Sequence, residues 1–253
     1  MNILVCVKRV PVTGGRIVLR DDEQAIETRH LGFAISPHEE CGVEEAVRLV
    51  EQNGGEATVL MLGPPEAEEQ IRDAMAVGIH RGILLEASEE WDAQATAAAI
   101  AEAVRAEREA GTEYDLIFFG NESADTGNYQ VGIRVAHALG LPCVTGLKQI
   151  EVADGRARCE QEVDDQRDVY EVALPAVVTV TEGLNMPRYP SVPGRLRAKK
   201  KPIDRKTPEA RAAALERLRL KLPPGEDKPT EILGHGPEAA PAVVELLRQI
   251  GVI

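Results

Sequence analysis

The sequence predicts an α/β fold built on a doubly wound, mostly parallel sheet, and three observations lead to this prediction. In the first half of the chain, short apolar segments alternate with helical patterns, and the connections between them are short. The apolar segments, such as residues 3–7, are continuous, as in strands covered on both faces. Hydrophobic residues make up 43% of the chain but aromatic residues only 3%, which indicates an aliphatic core. Alternation of this kind gives a parallel sheet with right-handed crossovers.

Four strand–helix pairs are predicted in this part of the chain. Strands are expected over residues 3–7, 58–62, 82–85 and 116–119, and helices over residues 36–53, 65–77, 92–109 and 128–139. Gly54, Gly78 and Gly140 follow three of these helices as end signals. The first helix opens with Ser36-Pro37-His38-Glu39, a capping box with proline at the first helical position.

The pattern changes after the fourth helix. Three short segments, 144–152, 156–163 and 168–174, are separated by turn residues that include Asp154-Gly155, a strong hairpin signal. They predict a small antiparallel meander that leads into a buried strand at 176–181. We expect a nucleotide-binding α/β domain over residues 1–202 and a C-terminal arm over residues 203–253. The arm is expected to contain helices near 208–218 and 241–250 and is too short to form a core of its own.

Residues 183–201 form a distinctive segment after the last buried strand. Residues 183–195 contain three prolines, two glycines and an asparagine, which predicts neither a regular helix nor a central strand. The segment nevertheless carries Leu184, Met186, Tyr189 and Val192, which a simple spacer does not need. A stiff loop with apolar side chains indicates a surface that contacts another molecule. For Tyr189 we also consider packing beneath the loop.

Composition excludes several classes of function. The formal net charge of −13 opposes binding to nucleic-acid backbones, so we expect no nucleic-acid partner. The residues 199–201 are three lysines, which we interpret as a local positive edge. No apolar run reaches the length of a membrane span, and the N-terminus reads as a strand and not as a signal peptide. The four cysteines lack metal or CxxC spacing, and we expect a reducing, cytoplasmic location.

The loop after the fourth strand is the strongest candidate for a ligand site. Ligands of doubly wound sheets bind at the carboxyl ends of the strands. Small residues allow a close approach of the backbone, and free N–H groups near residues 127–131, at the start of the next helix, suit a phosphate. The simpler interpretation is a helix capped by Asp125 or Thr126. The candidate ligand-binding residues of this loop are Gly120, Asn121, Glu122, Ser123, Ala124, Asp125, Thr126, Gly127, Asn128, Tyr129, Gln130 and Val131.

A family resemblance runs through the whole chain. Its motifs are Val5-Cys6-Val7-Lys8-Arg9-Val10-Pro11, Val43-Glu44-Glu45-Ala46-Val47-Arg48-Leu49, the loop with Gln130 and Gly132, Glu160 to Asp164 with 174–179, the segment 183–201, and 247–251. With these motifs the chain resembles the beta subunit of electron transfer flavoproteins. The resemblance implies a Rossmann-like domain that binds an adenine nucleotide and a heterodimer with an alpha subunit.

The resemblance also implies cofactors and residue roles. A structural AMP is expected at Cys6, at Ser36, Pro37, His38 and Glu39, at Leu62, and along the loop from Gly120 to Val131. In an electron-bifurcating subset of the family, a second FAD takes the place of this AMP. The redox FAD is shared with the alpha subunit, and Glu162 matches a carboxylate near its isoalloxazine ring. Leu184, Tyr189 and Val192 are the expected docking residues.

The resemblance further implies an electron carrier without substrate chemistry of its own. The expected donors are acyl-CoA or other flavin dehydrogenases, and the expected acceptor is a quinone oxidoreductase or another downstream protein. Two alternatives come from other classes: a nucleotide-binding sensor with the same sheet, and an enzyme that activates carboxylates with ATP. A sensor has no need of residues 183–253. The ATP-dependent enzyme needs a phosphate-binding loop near the first strand, where Gly14-Gly15-Arg16 is the only hint.

Overall fold

A nine-stranded sheet forms the centre of the protein. The computed structural model describes residues 1–88, 90–224 and 231–253. The strands are β1 (Asn2–Val7), β2 (Arg9–Pro11), β3 (Phe33–Ile35), β4 (Glu56–Gly63), β5 (Arg81–Glu86), β6 (Leu116–Gly120), β7 (Cys143–Ala153), β8 (Arg156–Val163), β9 (Gln166–Ala173), β10 (Ala176–Val180) and β11 (Ile203–Lys206). The order in the main sheet is β11-β5-β4-β1-β6-β10-β7-β8-β9, and β2 and β3 pair separately. All neighbours from β11 to β7 are parallel, which confirms the predicted fold class.

Helices cover both faces of the sheet. They are α1 (Pro37–Asn53), α2 (Glu68–Val77, preceded by a 3₁₀ turn at Pro65–Ala67), α3 (Ala93–Glu109), α4 (Val131–Leu139), α5 (Val192–Ala198) and α6 (Ala240–Gln249), with a further 3₁₀ turn at Gly236–Ala239. Successive residues of β1 point to opposite faces, so Val5 packs in the core under α1 and α2 whereas Leu4 packs in the core under α3 and α4. This two-sided burial explains the continuous apolar strands.

The meander extends one edge of the parallel sheet. β7 pairs in parallel with β10 and in antiparallel with β8, and β8 pairs in antiparallel with β9. The turn between β7 and β8 has φ of 50° at Asp154 and 72° at Gly155, as a tight hairpin requires. The predicted hairpin is therefore confirmed.

Several sequence predictions differ from the structure. α5 begins at Val192, inside the segment expected to exclude helix, because Ser191 Oγ accepts from Gly194 N at 3.1 Å and Pro193 lies in the first turn, where proline is tolerated. β11 was not predicted, and it joins the sheet beside β5. No helix forms over 208–218 in the described chain, whereas the last helix is confirmed as α6. Residues 225–230 of the predicted arm lie outside the described residues.

Within the part of the chain that the structure describes, no helix is both long enough and apolar enough to cross a membrane.

Candidate functional site

A cavity of about 310 Å³ opens at the carboxyl ends of β1, β4 and β6. This is the edge at which doubly wound sheets bind ligands. Most of the candidate ligand-binding residues line it, namely Cys6, Glu39, Leu62, Gly120, Asn121, Glu122, Ser123, Asp125, Thr126, Asn128, Tyr129, Gln130 and Val131. Three loops that are remote in sequence therefore converge on one space.

Some candidate residues do not line the cavity. Within the described chain, Ser36, Pro37, His38, Ala124 and Gly127 lie outside its wall. Glu162 lies away from the cavity on β8, where it is exposed and its Oε1 is 3.4 Å from Arg167 Nη2.

The capping box at the start of α1 forms only in part. The buried carboxyl of Glu39 reaches back to the backbone N–H of Ser36 and accepts a second hydrogen bond from Lys8 N at 2.8 Å. Ser36 Oγ, by contrast, caps nothing: it is buried and has no hydrogen-bond partner among the described residues. Burial raises the pKa of Glu39 to about 8. An uncharged carboxyl thus joins the end of β1 to the start of α1.

Burial has a similar effect on Cys6. It raises the pKa of the Cys6 thiol well above its ordinary value, and the neighbouring Glu39 adds to this effect. The thiol is therefore protonated and unreactive at neutral pH. Cys6 contributes shape to the cavity rather than nucleophilic chemistry.

Lys8 links two loops across the cavity. Its Nζ lies 3.0 Å from Glu90 Oε1, 2.6 Å from Asp125 Oδ2 and 3.3 Å from Thr126 Oγ1. Burial alone lowers the pKa of Lys8, but the carboxylates of Glu90 and Asp125 outweigh burial and raise it. The ammonium group is therefore charged and is held between the loop after β5 and the loop after β6.

A hydrogen-bonded chain holds the start of the β6 loop. Gly146 N donates to Thr179 Oγ1 at 3.0 Å, and Thr179 Oγ1 donates to Asn121 Oδ1 at 2.7 Å. Asn121 N donates in turn to Val180 O at 2.8 Å. The loop therefore leaves the sheet in a fixed direction, toward the cavity.

Glycine at positions 120 and 132 allows close packing around the cavity. A Cβ at Gly120 would lie 2.7 Å from Glu39 Cγ and 3.1 Å from Glu122 O. A Cβ at Gly132 would lie 2.8 Å from Thr179 Cγ2. Both approaches are shorter than ordinary carbon contacts, so larger residues would push the loop and α4 away from the sheet.

α4 begins at Val131, three residues later than predicted, and its first turn faces the cavity. The simpler interpretation, a helix capped by Asp125 or Thr126, is wrong: Gln130 is the N-cap, and among the described residues its side chain caps no backbone group. Gln130 Oε1 instead accepts from Arg134 Nε at 3.1 Å. Val131 and Gly132 line the cavity, so the start of α4, where backbone N–H groups lack partners inside the helix, borders it.

Sequence reasoning missed part of the wall. The loop after β5 contributes Ser88, Glu90 and Trp91, and β10 contributes Thr179. Trp91 is the single tryptophan of the chain, and its position just after a predicted strand is a signal that could have marked it. Thr179 lies within a buried strand and carried no such signal.

The predicted contact segment is fixed to α1 by two side chains. Asn185 Nδ2 donates to Cys41 O at 3.0 Å and to Glu45 Oε2 at 2.9 Å. Arg188 binds Glu44 and Glu51, with Nε 2.9 Å from Glu44 Oε2 and Nη1 2.7 Å from Glu51 Oε1. The segment is therefore an ordered surface.

The apolar side chains of this segment divide into two groups. Leu184 is partly buried against the core. Tyr189, Val192 and Met186 are 95%, 73% and 90% exposed. Packing of Tyr189 beneath the loop, one of the two interpretations, is therefore wrong.

The lysine run is not uniformly a positive edge. Lys201 Nζ donates to Met75 O at 3.0 Å and also bonds Ile79 O, at the carboxyl end of α2. Burial lowers its pKa. Lys199 and Lys200 remain exposed. Among the described residues, no cluster of three or more His, Cys, Asp or Glu side chains offers a metal site.

Comparison with known proteins adds the decisive observation. The family model described as the electron transfer flavoprotein domain matches residues 25–211. The electron transfer flavoprotein subunit beta of Syntrophomonas wolfei is 38% identical over 227 residues, which cover 89% of this chain and 87% of the relative. This chain belongs to the electron transfer flavoprotein family. A second relative, the electron transfer flavoprotein subunit beta of Bacillus subtilis, is 33% identical over 98% of both chains.

Another electron transfer flavoprotein relative carries a different name. The caffeyl-CoA reductase-Etf complex subunit CarD of Acetobacterium woodii is 32% identical over 209 residues, which cover 80% of this chain and 77% of the relative. Membership of the electron transfer flavoprotein family supports a role in electron transfer.

Proposed function

We propose that this chain is the beta subunit of a heterodimeric electron transfer flavoprotein that shares FAD with an alpha subunit and holds a structural AMP in its own cavity. The heterodimer carries electrons from acyl-CoA or other flavin dehydrogenases to a downstream acceptor such as a quinone oxidoreductase. The observation that carries the proposal is the cavity at the carboxyl ends of β1, β4 and β6 in a chain of this family.

One feature of the cavity supports binding of the phosphate of an adenine nucleotide. The first turn of α4, which carries backbone N–H groups without partners inside the helix, borders the cavity at Val131 and Gly132.

The size of the cavity favours AMP over FAD. Ligand pockets span about 300–1,000 Å³, and a cavity of about 310 Å³ lies at the small end of that range. A mononucleotide suits this volume, whereas FAD would have to extend beyond the present walls. FAD in the cavity is the second candidate, and the relative named as a subunit of a caffeyl-CoA reductase-Etf complex is the reason to test it.

We assign the redox FAD to the boundary with the alpha subunit. Bound there, it would supply reversible electron storage, and this chain would supply part of the wall. Glu162 is exposed and held only at 3.4 Å by Arg167, so its carboxylate is available to a flavin carried by a partner. The exposed Tyr189 and Val192 form the proposed dehydrogenase contact, and the arm is the proposed alpha-subunit contact.

The small molecules released from the purified complex test the proposal. The chain is co-expressed with an alpha subunit, the complex is denatured, and the released nucleotides are separated and quantified. One FAD and one AMP per heterodimer are expected. Two FADs would favour the second candidate, and a chain that never forms a flavin-containing complex would contradict the proposal. The chain expressed alone is the control and should carry little FAD.

A further inference from the structure

Part of the C-terminal arm returns to the mouth of the cavity. Residues 211–220, named the strap here, lie beside the loop that joins β5 to α3. Ala214 N and Leu215 N donate to Asp92 Oδ2 at 2.6 and 3.1 Å. Asp92 Oδ1 accepts from Ala95 N at 2.7 Å. One carboxylate therefore caps α3 and holds the strap, one residue away from the cavity-lining Trp91.

The far end of the strap is attached to the segment between β2 and β3. Leu220 N donates to Glu23 O at 2.7 Å, and Gln24 Nε2 donates to Leu218 O at 2.8 Å. Arg217 Nη1 donates to Gln24 O at 2.9 Å. The strap is thus attached at both ends to the domain formed by the N-terminal part of the chain.

Arg217 connects the strap to the interior of the cavity. Its Nη2 lies 2.9 Å from Glu90 Oε2, and Glu90 Oε1 lies 3.0 Å from Lys8 Nζ. Lys8 Nζ is in turn 2.6 Å from Asp125 Oδ2. An unbroken series of ion pairs therefore runs from the strap, through Glu90 in the wall, to the loop that follows β6.

We propose that the strap is a latch on the nucleotide cavity and that Arg217 is the positioning residue that holds it closed. The inference rests on the proposed nucleotide occupancy. In this proposal the ligand leaves when the β5–α3 loop and the loop after β6 separate, and Glu90 is the group that Lys8 and Arg217 hold from opposite sides. Loss of Arg217 frees one side of Glu90, so the wall opens more often and the ligand dissociates faster.

The arm then has two parts with different roles. Residues 211–220 bind their own domain, whereas α6 exposes Val243, Val244 and Leu246 to solvent. A partner that binds α6 therefore leaves the strap in place. Retention of the nucleotide and contact with the alpha subunit are then served by different stretches of one arm.

The release rate of AMP from the co-expressed complex tests the latch. Complexes are loaded with radiolabelled AMP and chased with excess unlabelled AMP. The Arg217–Glu90 pair is about two-fifths exposed on both sides, so its loss by Arg217→Ala is expected to accelerate release about two- to fivefold. Arg217→Glu opposes Glu90 with a like charge and is expected to have a larger effect. Arg217→Lys keeps the positive charge but cannot contact both Glu90 and Gln24 as the guanidinium group does. Its release rate should therefore lie between those of the wild type and Arg217→Ala.

Arg219→Ala is the matched control. Arg219 lies in the same strap and carries the same charge, but its contact is Glu23, at 3.8 Å. Release at the wild-type rate in this variant, together with faster release in Arg217→Ala, supports the latch. Equal acceleration in both variants, or no acceleration in Arg217→Ala while the wild type retains AMP, overturns it. If the wild-type complex holds no nucleotide, the proposed binding of AMP in the cavity is wrong, and the latch proposal that rests on it is wrong as well.

Hydrogen exchange supplies a second measurement that does not depend on release. Amides of Ala214, Leu215 and Leu220 donate hydrogen bonds in the closed strap. They are expected to exchange faster in Arg217→Ala than in Arg219→Ala. By linkage, bound AMP should slow their exchange in the wild-type complex, and unchanged exchange on removal of AMP would overturn the proposal.

Discussion

The guanidinium group of Arg188 lies against the buried carboxylate of Glu44, with Nε 2.9 Å from Oε2 and Nη2 3.0 Å from Oε1. Arg188 N also donates to Glu44 Oε2 at 3.1 Å. Together with Asn185, this pair determines where the contact segment lies on α1. A carboxylate in the interior of the protein is stabilised only by such a partner.

Arg188→Ala is expected to reduce the free energy of unfolding by about 2–3 kcal/mol, because it leaves Glu44 buried without its cation. Chemical denaturation measures the loss. Arg195→Ala is the control: Arg195 Nη1 lies 3.3 Å from Asp73 Oδ1 and both side chains are about half exposed, so that loss should stay below about 1 kcal/mol. Equal losses in the free energy of unfolding of the two variants would show that the burial of Glu44 does not increase the cost of removing its partner.

Gly120→Ala is expected to deplete the cavity of its nucleotide. The added Cβ would lie 2.7 Å from Glu39 Cγ and 3.1 Å from the Glu122 carbonyl oxygen, so the loop must shift. Nucleotide content after purification is the measurement. Gly14→Ala is the matched control, since a Cβ there meets no atom of the described residues within 4 Å. Wild-type nucleotide content in Gly120→Ala would argue that the ligand binds elsewhere.

The free energy of unfolding is expected to fall as the pH rises from about 4.5 to about 8, because of the raised pKa of Glu39. Burial raises its pKa from 4.5 to about 8 in the folded protein, so in this window the folded state holds a proton that the unfolded state has lost. The contribution is fully present below pH 4.5 and is lost as the pH rises through 8. Glu39→Gln should mimic the protonated carboxyl and raise the free energy of unfolding at pH 8.5 by about 1–4 kcal/mol.

The control for the Glu39 prediction is the same comparison made at pH 4.5. At pH 4.5, Glu39→Gln and the wild type should unfold with similar free energies, because both side chains are neutral in the folded state. Denaturant titrations at both values provide the comparison. A difference of the same size at both pH values would mean that the amide acts through packing and that the carboxyl does not titrate as described.

Val192→Asp is expected to slow electron transfer from a dehydrogenase by tenfold or more without lowering the melting temperature. Val192 is 73% exposed at the start of α5, and a charge at the centre of an apolar contact is costly. Reduction of the heterodimer by an acyl-CoA dehydrogenase is the assay. Val12→Asp is the control, because it introduces the same charge at a side chain that is 51% exposed and lies outside both the contact segment and the strap. Comparable slowing in both variants would remove Val192 from the proposed docking surface.

The central elements were predictable because their signals are local. Continuous apolar runs and glycine stops identified β1, β4, β5 and β6, and Asp154-Gly155 identified the β7–β8 turn. β11 was missed because Ile203–Lys206 is mostly polar, and it pairs only because β5 offers a free edge. Its contribution depends on tertiary structure that no local pattern contains.

The loops that form the candidate site were predictable from the sequence, but the side-chain contacts that join them were not. Residues after strands were correctly expected to converge, since parallel strands end at one edge of the sheet. The failure of Ser36 Oγ to cap α1 could not be read from the sequence, because Ser36-Pro37-His38-Glu39 matches the capping-box pattern whether or not the serine side chain forms its bond. Likewise, the pairing of Lys8 with Glu90 and Asp125 joins residues more than 80 positions apart in one case and more than 110 in the other.

α1 connects the cavity to the contact segment and sets the distance between them. Its first turn carries Glu39 beside the cavity, and its middle carries Glu44 and Glu45, which hold Arg188 and Asn185. One inserted residue between them would rotate the following side chains by about 100° around the helix axis. Both anchors would then face away from the contact segment. We therefore expect this stretch of α1 to tolerate substitutions but not insertions or deletions.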